Sequence, residues 1–277
     1  MLGEIELFVA SAGSGTHPPL LVIHGGPDWD HSYLRQPLAE LAGTRRLLLP
    51  DLRGCGRSAR GLPIEDYRPD TVVADLLTIL DIFDIHTTDL LGFSYGGLLA
   101  QRVAVAAPKR FRRMIIASSS VLPVPANAYA DWPERKTLMA AEHAVWSDSS
   151  PSGPERTRAA AFAGARANVR RVDAFPEYLR RLRAVSFSGE WDSARRAGTL
   201  PSARIDDPLR TLARTGIPIL LLHGRFDMTF PAALAEQAAA ELPNAQAVVL
   251  DQAGHMAHID QPEQWLVAVE RFLNRPL

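Results

Sequence analysis

The sequence predicts an α/β fold: a mostly parallel central sheet flanked by helices, with an inserted helical segment. Three observations carry this. Short, unbroken apolar runs alternate with stretches that are apolar at helical spacing, and such alternation marks a parallel sheet covered on both faces. Each apolar run singled out below ends in a cluster rich in Gly, His, Asp or Ser, where sheets of this kind place their ligands. The strand-like runs stop at about residue 121 and resume after about residue 206.

In chain order, residues 4–10 alternate, with Ile5, Leu7 and Val9 against Glu4 and Glu6, and predict a half-buried strand. Ser11 to Pro19 is rich in turn formers. Leu20-Leu21-Val22-Ile23 is a continuous apolar run, as expected of a strand buried on both faces, and it ends in His24-Gly25-Gly26-Pro27-Asp28. Leu47-Leu48-Leu49 is a second such run, ending in Asp51-Leu52-Arg53-Gly54. Residues 70–83 carry Val73, Leu76, Leu77, Leu80 and Phe83 at helical spacing, with Pro69-Asp70 as a helix start. Asp89-Leu90-Leu91 then feeds Gly92-Phe93-Ser94-Tyr95-Gly96, and a helical run follows to about Ala107. Residues 113–117 predict the next strand. From 121 to 206 the chain is rich in Ala and Arg, with helices expected over 155–171 and 174–184. The sheet resumes at Ile217–Leu222, followed by a helix over 231–242, a strand over 247–250 and a final helix over 262–273. The expected organisation is a core of residues 1–120 and 207–277 with a helical cap at 121–206.

Gly-x-Ser-x-Gly between a strand and a helix is the context of a nucleophile elbow, in which a strained turn lifts the serine hydroxyl above the sheet. A serine needs a base, and the base needs an orienting acid. Asp227 follows the strongly apolar 217–222 strand and His255 the last strand, in the order serine, acid, histidine. His258 competes as base; His24, His86, His143 and His223 are further candidates. Two backbone donors are expected for a developing oxyanion: the N–H of Tyr95 and that of Gly26, since Pro27 has none. Trp29, His31 and the Tyr95 side chain are expected to line the pocket, and Asp28 or Asp30 to hold a substrate amine or cap the next turn. Asp51 and Arg53 are expected to hydrogen-bond nearby loops, and Cys55 to be a packed thiol.

The net charge of −1 gives no general attraction to nucleic acid or anionic membrane, and no apolar run reaches 18 residues. The first six residues lack the pattern of a secretory leader, and one cysteine leaves no internal disulfide to form. A cytoplasmic location is the default expectation, as a monomer or a homodimer. No Gly-Lys-Ser/Thr follows Gly25-Gly26-Pro27, no G-x-G-x-x-G follows the first strand and no His-Glu-x-x-His occurs, so no cofactor or metal is expected.

Four blocks resemble the α/β-hydrolase superfamily over essentially the whole chain: His24-Gly25-Gly26-Pro27, Asp51-x-Arg53-Gly54-x-Gly56-x-Ser58, Gly92-x-Ser94-x-Gly96-Gly97, and Gly254-His255 with Pro262-Glu263. The opening His-Gly-Gly-Pro is most similar to the proline iminopeptidase-like branch. The resemblance implies a serine hydrolase with cap carboxylates that hold a free amine. Glu134, Glu142, Glu155, Glu177 and Glu190 are available, with Glu142 carried as a substrate contact. Two departures stand out. Asp28 occupies a position that is usually glycine in that branch, and the elbow reads Gly-Phe-Ser-Tyr-Gly rather than Gly-Gly-Ser-Trp-Gly. The expected function is hydrolysis of a small-molecule ester or amide, with aminopeptidase-like activity as one form. Carboxylesterase, lactonase or thioesterase activity without a free-amine requirement is the alternative. A non-hydrolytic lyase or ligand-binding member of the fold is the alternative of another class.

Overall fold

The computed structural model describes residues 5–148, 150 and 152–276. Met1 to Glu4, which belong to the stretch read as lacking a leader and include the first residue of the expected 4–10 strand, lie outside them. Seven strands form one sheet: β1 (Val9–Ala12), β2 (His17–Ile23), β3 (Arg45–Pro50), β4 (Thr88–Phe93), β5 (Phe111–Ala117), β6 (Ile219–Gly224) and β7 (Ala245–Leu250). Their order is β1-β3-β2-β4-β5-β6-β7. Only β1 is antiparallel, to β3; every other pair is parallel.

Parallel pairing with crossover helices requires both faces to be apolar, and the central strands meet that demand residue by residue. Leu20, Val22, Leu91, Phe93, Ile115, Leu220 and Leu222 face a layer built with Tyr33, Leu34, Trp265, Val269 and Phe272. Leu21, Ile23, Leu90, Met114, Ile116, Ile219 and Leu221 face the other layer, with Val72, Leu76, Leu80, Leu99, Val103 and Ala235. Helices Pro69–Ile82, Tyr95–Ala106, Ala232–Glu241 and Pro262–Leu273 occupy the places the periodicity predicts.

Several boundaries shift for identifiable reasons. The first strand is displaced toward the C-terminus, to Val9–Ala12, because antiparallel backbone pairing with Leu47–Pro50 needs no apolar alternation at a sheet edge. The expected 155–171 helix divides into Gly153–Ala163 and Ala165–Asn168. It breaks at Gly164, where a Cβ would collide with the Glu142 carboxylate. A helix over Pro133–Ser147 has no fully buried residue, so no strong apolar stripe announced it. Among the described residues, 121–206 contains no strand. The two ends of this segment are fastened together. The Arg204 guanidinium donates to the carbonyls of Ser120, Val121 and Leu122 (3.3, 3.4 and 2.9 Å), and Arg102 donates to the Arg204 carbonyl (3.1 Å). No helix among the described residues is long and apolar enough to cross a membrane.

The turn from β4 into helix Tyr95–Ala106 is tightly packed. Ser94 adopts φ 54° and ψ −121°, a conformation that L-residues hold only under constraint. A Cβ at Gly92 would strike the Gly96 carbonyl, and one at Gly96 would strike the carbonyls of Ile23 and His24. Gly96→Ala is therefore expected to destabilise the protein by about 1–3 kcal/mol, because the opposing atoms are rigid backbone. Gly43→Ala, where a Cβ would meet nothing within 4 Å, is expected to stay within about 0.5 kcal/mol of the parent. Urea denaturation of both variants tests the contrast.

Candidate active site

Five loops at the carboxyl ends of β2, β3, β4, β6 and β7 bring the sequence-predicted residues into one region. Ser94 sits at the tip of the elbow, its N–H donating to the Ala117 carbonyl (2.9 Å) and its carbonyl accepting from Gly97 N (2.9 Å). Its hydroxyl lies 3.1 Å from His255 Nε2. His255 Nδ1 lies 2.9 Å from Asp227 Oδ2. A carboxylate can only accept, so Nδ1 carries the proton and neutral Nε2 presents a lone pair to the serine. This is the tautomer in which an imidazole takes a proton from a hydroxyl.

Asp227 is fixed from both sides. Its Oδ1 accepts from Thr229 N and Phe230 N (2.7 and 2.9 Å), as a turn-capping aspartate would. Its Oδ2 faces His255 and lies 3.1 Å from His223 Nε2. Burial alone would push the carboxyl up; the electrostatic attraction of the His255 ring and the hydrogen bonds from His223 and His255 overcome this and hold it well below the usual carboxylate range. His223 Nε2 also approaches the Phe230 carbonyl at 2.8 Å, so it donates, and its Nδ1 has no partner among the described residues. His223 thus braces the acid rather than serving Ser94, which its i, i+4 spacing from Asp227 could have signalled.

His258 and His24 have structural roles, while His143 borders the cavity described below. His258 packs edge-on to Phe93 (5.1 Å between centroids) and points Nε2 at the Tyr33 carbonyl (3.3 Å); burial holds its pKa well below normal. His24 accepts from Leu52 N at Nε2 (3.0 Å) and donates to the Gly25 carbonyl at Nδ1 (3.0 Å), tying two loops together. Asp51 and Arg53 make loop bonds as anticipated, Arg53 pairing with Asp75 through two 2.7 Å contacts. Burial pushes the Cys55 thiol far up, which keeps it protonated.

On the donor side, Gly25 N–H is taken by the Tyr33 hydroxyl (2.9 Å), which leaves Gly26 as the next N–H in that loop. Gly26 has φ 54°, and its Cβ would press on the Trp29 indole at 2.9 Å. A cavity of about 540 Å³ opens above these atoms. Gly26, Trp29, Tyr33, Phe93, Ser94 and His255 form one wall; Met139, Glu142, Trp146, Thr157, Asn168 and Trp191 form the other.

Three expected contacts are corrected. His31 does not line the cavity. It is buried, hydrogen-bonded to Asp51 (2.6 Å) and stacked on Phe8 (5.8 Å). The Tyr95 side chain packs against Trp191 (5.8 Å) outside the cavity, because the first turn of its helix points the ring sideways into the core; its hydroxyl is buried without a partner among the described residues. Asp28 borders the cavity, yet its oxygens are occupied by Ser188 Oγ, Trp191 N and Asp192 N (2.7, 3.0 and 2.8 Å), which leaves it poorly placed to hold an amine. Asp30 is likewise engaged, by Ser32 and by Ser186 N (2.9 Å).

Glu142 does face the cavity. One oxygen accepts from Trp146 Nε1 (3.2 Å), and burial raises its pKa. Asp192 is neutralised by Arg156, Arg195 and Arg196. Sequence reasoning missed Asp260. It accepts from Gly254 N, Arg170 N and Arg171 N (2.8, 2.9 and 2.8 Å), so it holds the histidine loop against residues 170–171. Its position just ahead of Pro262 reads as an ordinary helix start. Among the described residues no three His, Cys, Asp or Glu side chains are grouped to hold a metal ion.

A family model described as alpha/beta hydrolase fold matches residues 18–262. The chain is similar to a 2-hydroxymuconate semialdehyde hydrolase from Pseudomonas sp. strain CF600, at 29% identity over 94% of this chain and 88% of that protein. It is similar to a proline iminopeptidase from Heyndrickxia coagulans, at 26% identity over 95% and 92%. Among solved structures, a thermophilic esterase from Thermogutta terrifontis superposes with a TM-score of 0.74, at 26% identity over 98% of this chain and 94% of that one. The iminopeptidase branch thus has company from other branches at comparable identity.

The electrostatics of Asp227 have a testable sign. Its folded pKa is depressed below the ~3.9 of a free aspartate, so its ionised form stabilises the fold above that pH, and the contribution is lost as pH falls through the folded value. Asp227→Asn is expected to be less stable than the parent at pH 7, with the gap narrowing on acidification below about pH 4. Denaturant titrations at a series of pH values measure this.

Proposed function

Because the chain belongs to the α/β-hydrolase family, we propose that it is a serine hydrolase cleaving a small-molecule ester or amide through an acyl-enzyme at Ser94. The observation that carries this reading is the unbroken hydrogen-bond chain from Asp227 through His255 to Ser94, which ends at the floor of the cavity. In this mechanism Ser94 Oγ attacks the substrate carbonyl carbon while its proton passes to His255 Nε2. Asp227 keeps the imidazole in the required tautomer and offsets the charge it gains. The backbone N–H groups of Gly26 and Tyr95 receive the developing oxyanion. Collapse expels the leaving group with the proton from His255, and water, deprotonated by the same imidazole, releases the acyl group.

Residues 121–206 act as a cap that supplies the far wall of the cavity. Glu142 favours a second, narrower reading in which the substrate carries a free amine, as in an aminopeptidase. Its carboxylate lies in the cavity with an indole N–H as a partner, in surroundings otherwise rich in Trp, Met and Phe. Activity on esters, lactones or thioesters without an amine is the alternative.

A panel of chromogenic esters, lactones and amino-acyl anilides separates these readings. Ser94→Ala is expected to lose about 10³-fold or more in turnover with folding intact, and the parent to be labelled at Ser94 by a fluorophosphonate. Near-parental turnover in Ser94→Ala would exclude the acyl-enzyme. Under the aminopeptidase reading, Glu142→Gln depresses anilide turnover while leaving simple esters unaffected; an equal effect on both removes it.

A further inference from the structure

The loop that carries Gly26 is bound along its length to one short segment, residues 186–192. The centre of this contact is Asp28, which is 2% exposed and sits at φ 80°, a left-handed conformation that a non-glycine residue holds only when its surroundings compensate. The compensation is on the page. Asp28 Oδ1 accepts from Ser188 Oγ (2.7 Å) and Trp191 N (3.0 Å), and Oδ2 accepts from Asp192 N (2.8 Å). The Asp28 carbonyl accepts from Ser188 N (2.8 Å). On its flank, Asp30 Oδ2 accepts from Ser186 N (2.9 Å), and Trp29 lies edge-on to Phe187 with centroids 5.4 Å apart. Trp29 in turn lies directly against Gly26, and its N–H donates to the Gly26 carbonyl (2.8 Å).

We propose that Asp28 is a positioning residue: by binding residues 188–192 it sets the backbone of the Gly26–Trp29 turn and thereby aims the Gly26 N–H at the oxyanion. This rests on the serine-hydrolase reading above. Asp28 touches no reacting atom. It acts through the single residue that separates it from Gly26, Pro27, whose fixed φ passes on little slack. The same contacts make the cap segment part of the oxyanion site, because Trp191, whose N–H binds Asp28, also lines the cavity. Removing an oxyanion donor typically costs about 10²–10³ in rate, and a misplacement near 1 Å about 10². Asp28→Asn places an amide donor against an N–H donor and breaks at least one of the three side-chain bonds. Asp28→Gly removes all three while accommodating the positive φ. Ser188→Ala removes only one, from the cap side, and leaves the loop sequence untouched.

The test uses p-nitrophenyl butyrate, with active sites counted by fluorophosphonate titration carried to completion, and inhibition by an aliphatic trifluoromethyl ketone as a mimic of the tetrahedral adduct. Asp28→Asn and Asp28→Gly are expected to lose about 10- to 100-fold in kcat per titrated site with KM within about threefold, and Ser188→Ala to lose less. The ketone's Ki is expected to rise in proportion to the loss in kcat/KM across the series. The proposal is overturned if kcat per titrated site is unchanged, if the loss falls in KM, or if only the number of titratable sites drops, as a purely structural role requires. Should Asp28 variants fail to fold, Ser188→Ala decides by the same criteria. If the parent is neither active nor labelled at Ser94, the underlying reading fails and this inference with it.

Discussion

The structure depends on one close approach, between the end of β4 and the start of helix Tyr95–Ala106. Gly92, Gly96 and the carbonyls of Ile23 and His24 lie so near one another that no Cβ fits between them. That crowding holds Ser94 in its left-handed conformation and projects its hydroxyl beyond the strand ends. It also brings the β2 loop, with Gly25 and Gly26, within reach of the serine: a Cβ at Gly25 would lie 2.6 Å from that of Ser94. Ser94 and the Gly25–Gly26 loop therefore share one packing constraint rather than being positioned independently.

Around this point, four buried aspartates show how the same side chain acquires different characters. Asp28 and Asp260 accept from backbone N–H groups, with a serine hydroxyl added at Asp28, and burial pushes their pKa values up. Asp51 and Asp227 are just as withdrawn from water, yet each touches an imidazole, and their pKa values fall. At Asp28 and Asp260 the donated hydrogen bonds do not offset burial, whereas at Asp51 and Asp227 an imidazole added to the backbone donors does. Of the two aspartates paired with histidine, only Asp227 holds a ring whose second nitrogen reaches the cavity.

The sheet was legible because its strands are buried on both faces, so continuous runs such as Leu20–Ile23 and Ile219–Leu222 could not be mistaken for polar surface. Ser94, Asp227 and His255 were legible because each stands at a strand end in a recognisable order, and the structure brings all three within hydrogen-bond distance. What escaped depends on contacts between segments distant in sequence. Nothing near Asp28 indicates that its partners lie at 188–192, some 160 positions away, and Asp260 reads as a helix start until Arg170 and Arg171 are seen to donate to it. Helix Pro133–Ser147 escaped for the opposite reason: none of its residues is fully buried, and its half-buried side mixes apolar residues with Arg135 and Glu142, so periodicity had no clean stripe to find. His31 was misjudged because proximity in sequence to Trp29 says nothing about which way a side chain leaves a tight turn.

Asp260 constrains two segments at once. Its carboxylate is fully buried and its donors come from both the histidine loop and residues 170–171. A change that moved the backbone of residues 170–171 away would take two of those donors and leave the buried carboxyl under-satisfied, at a cost of about 1–3 kcal/mol. The backbone path at residues 170–171 and the loop that carries His255 are thus tied, and a shift in one must be matched in the other.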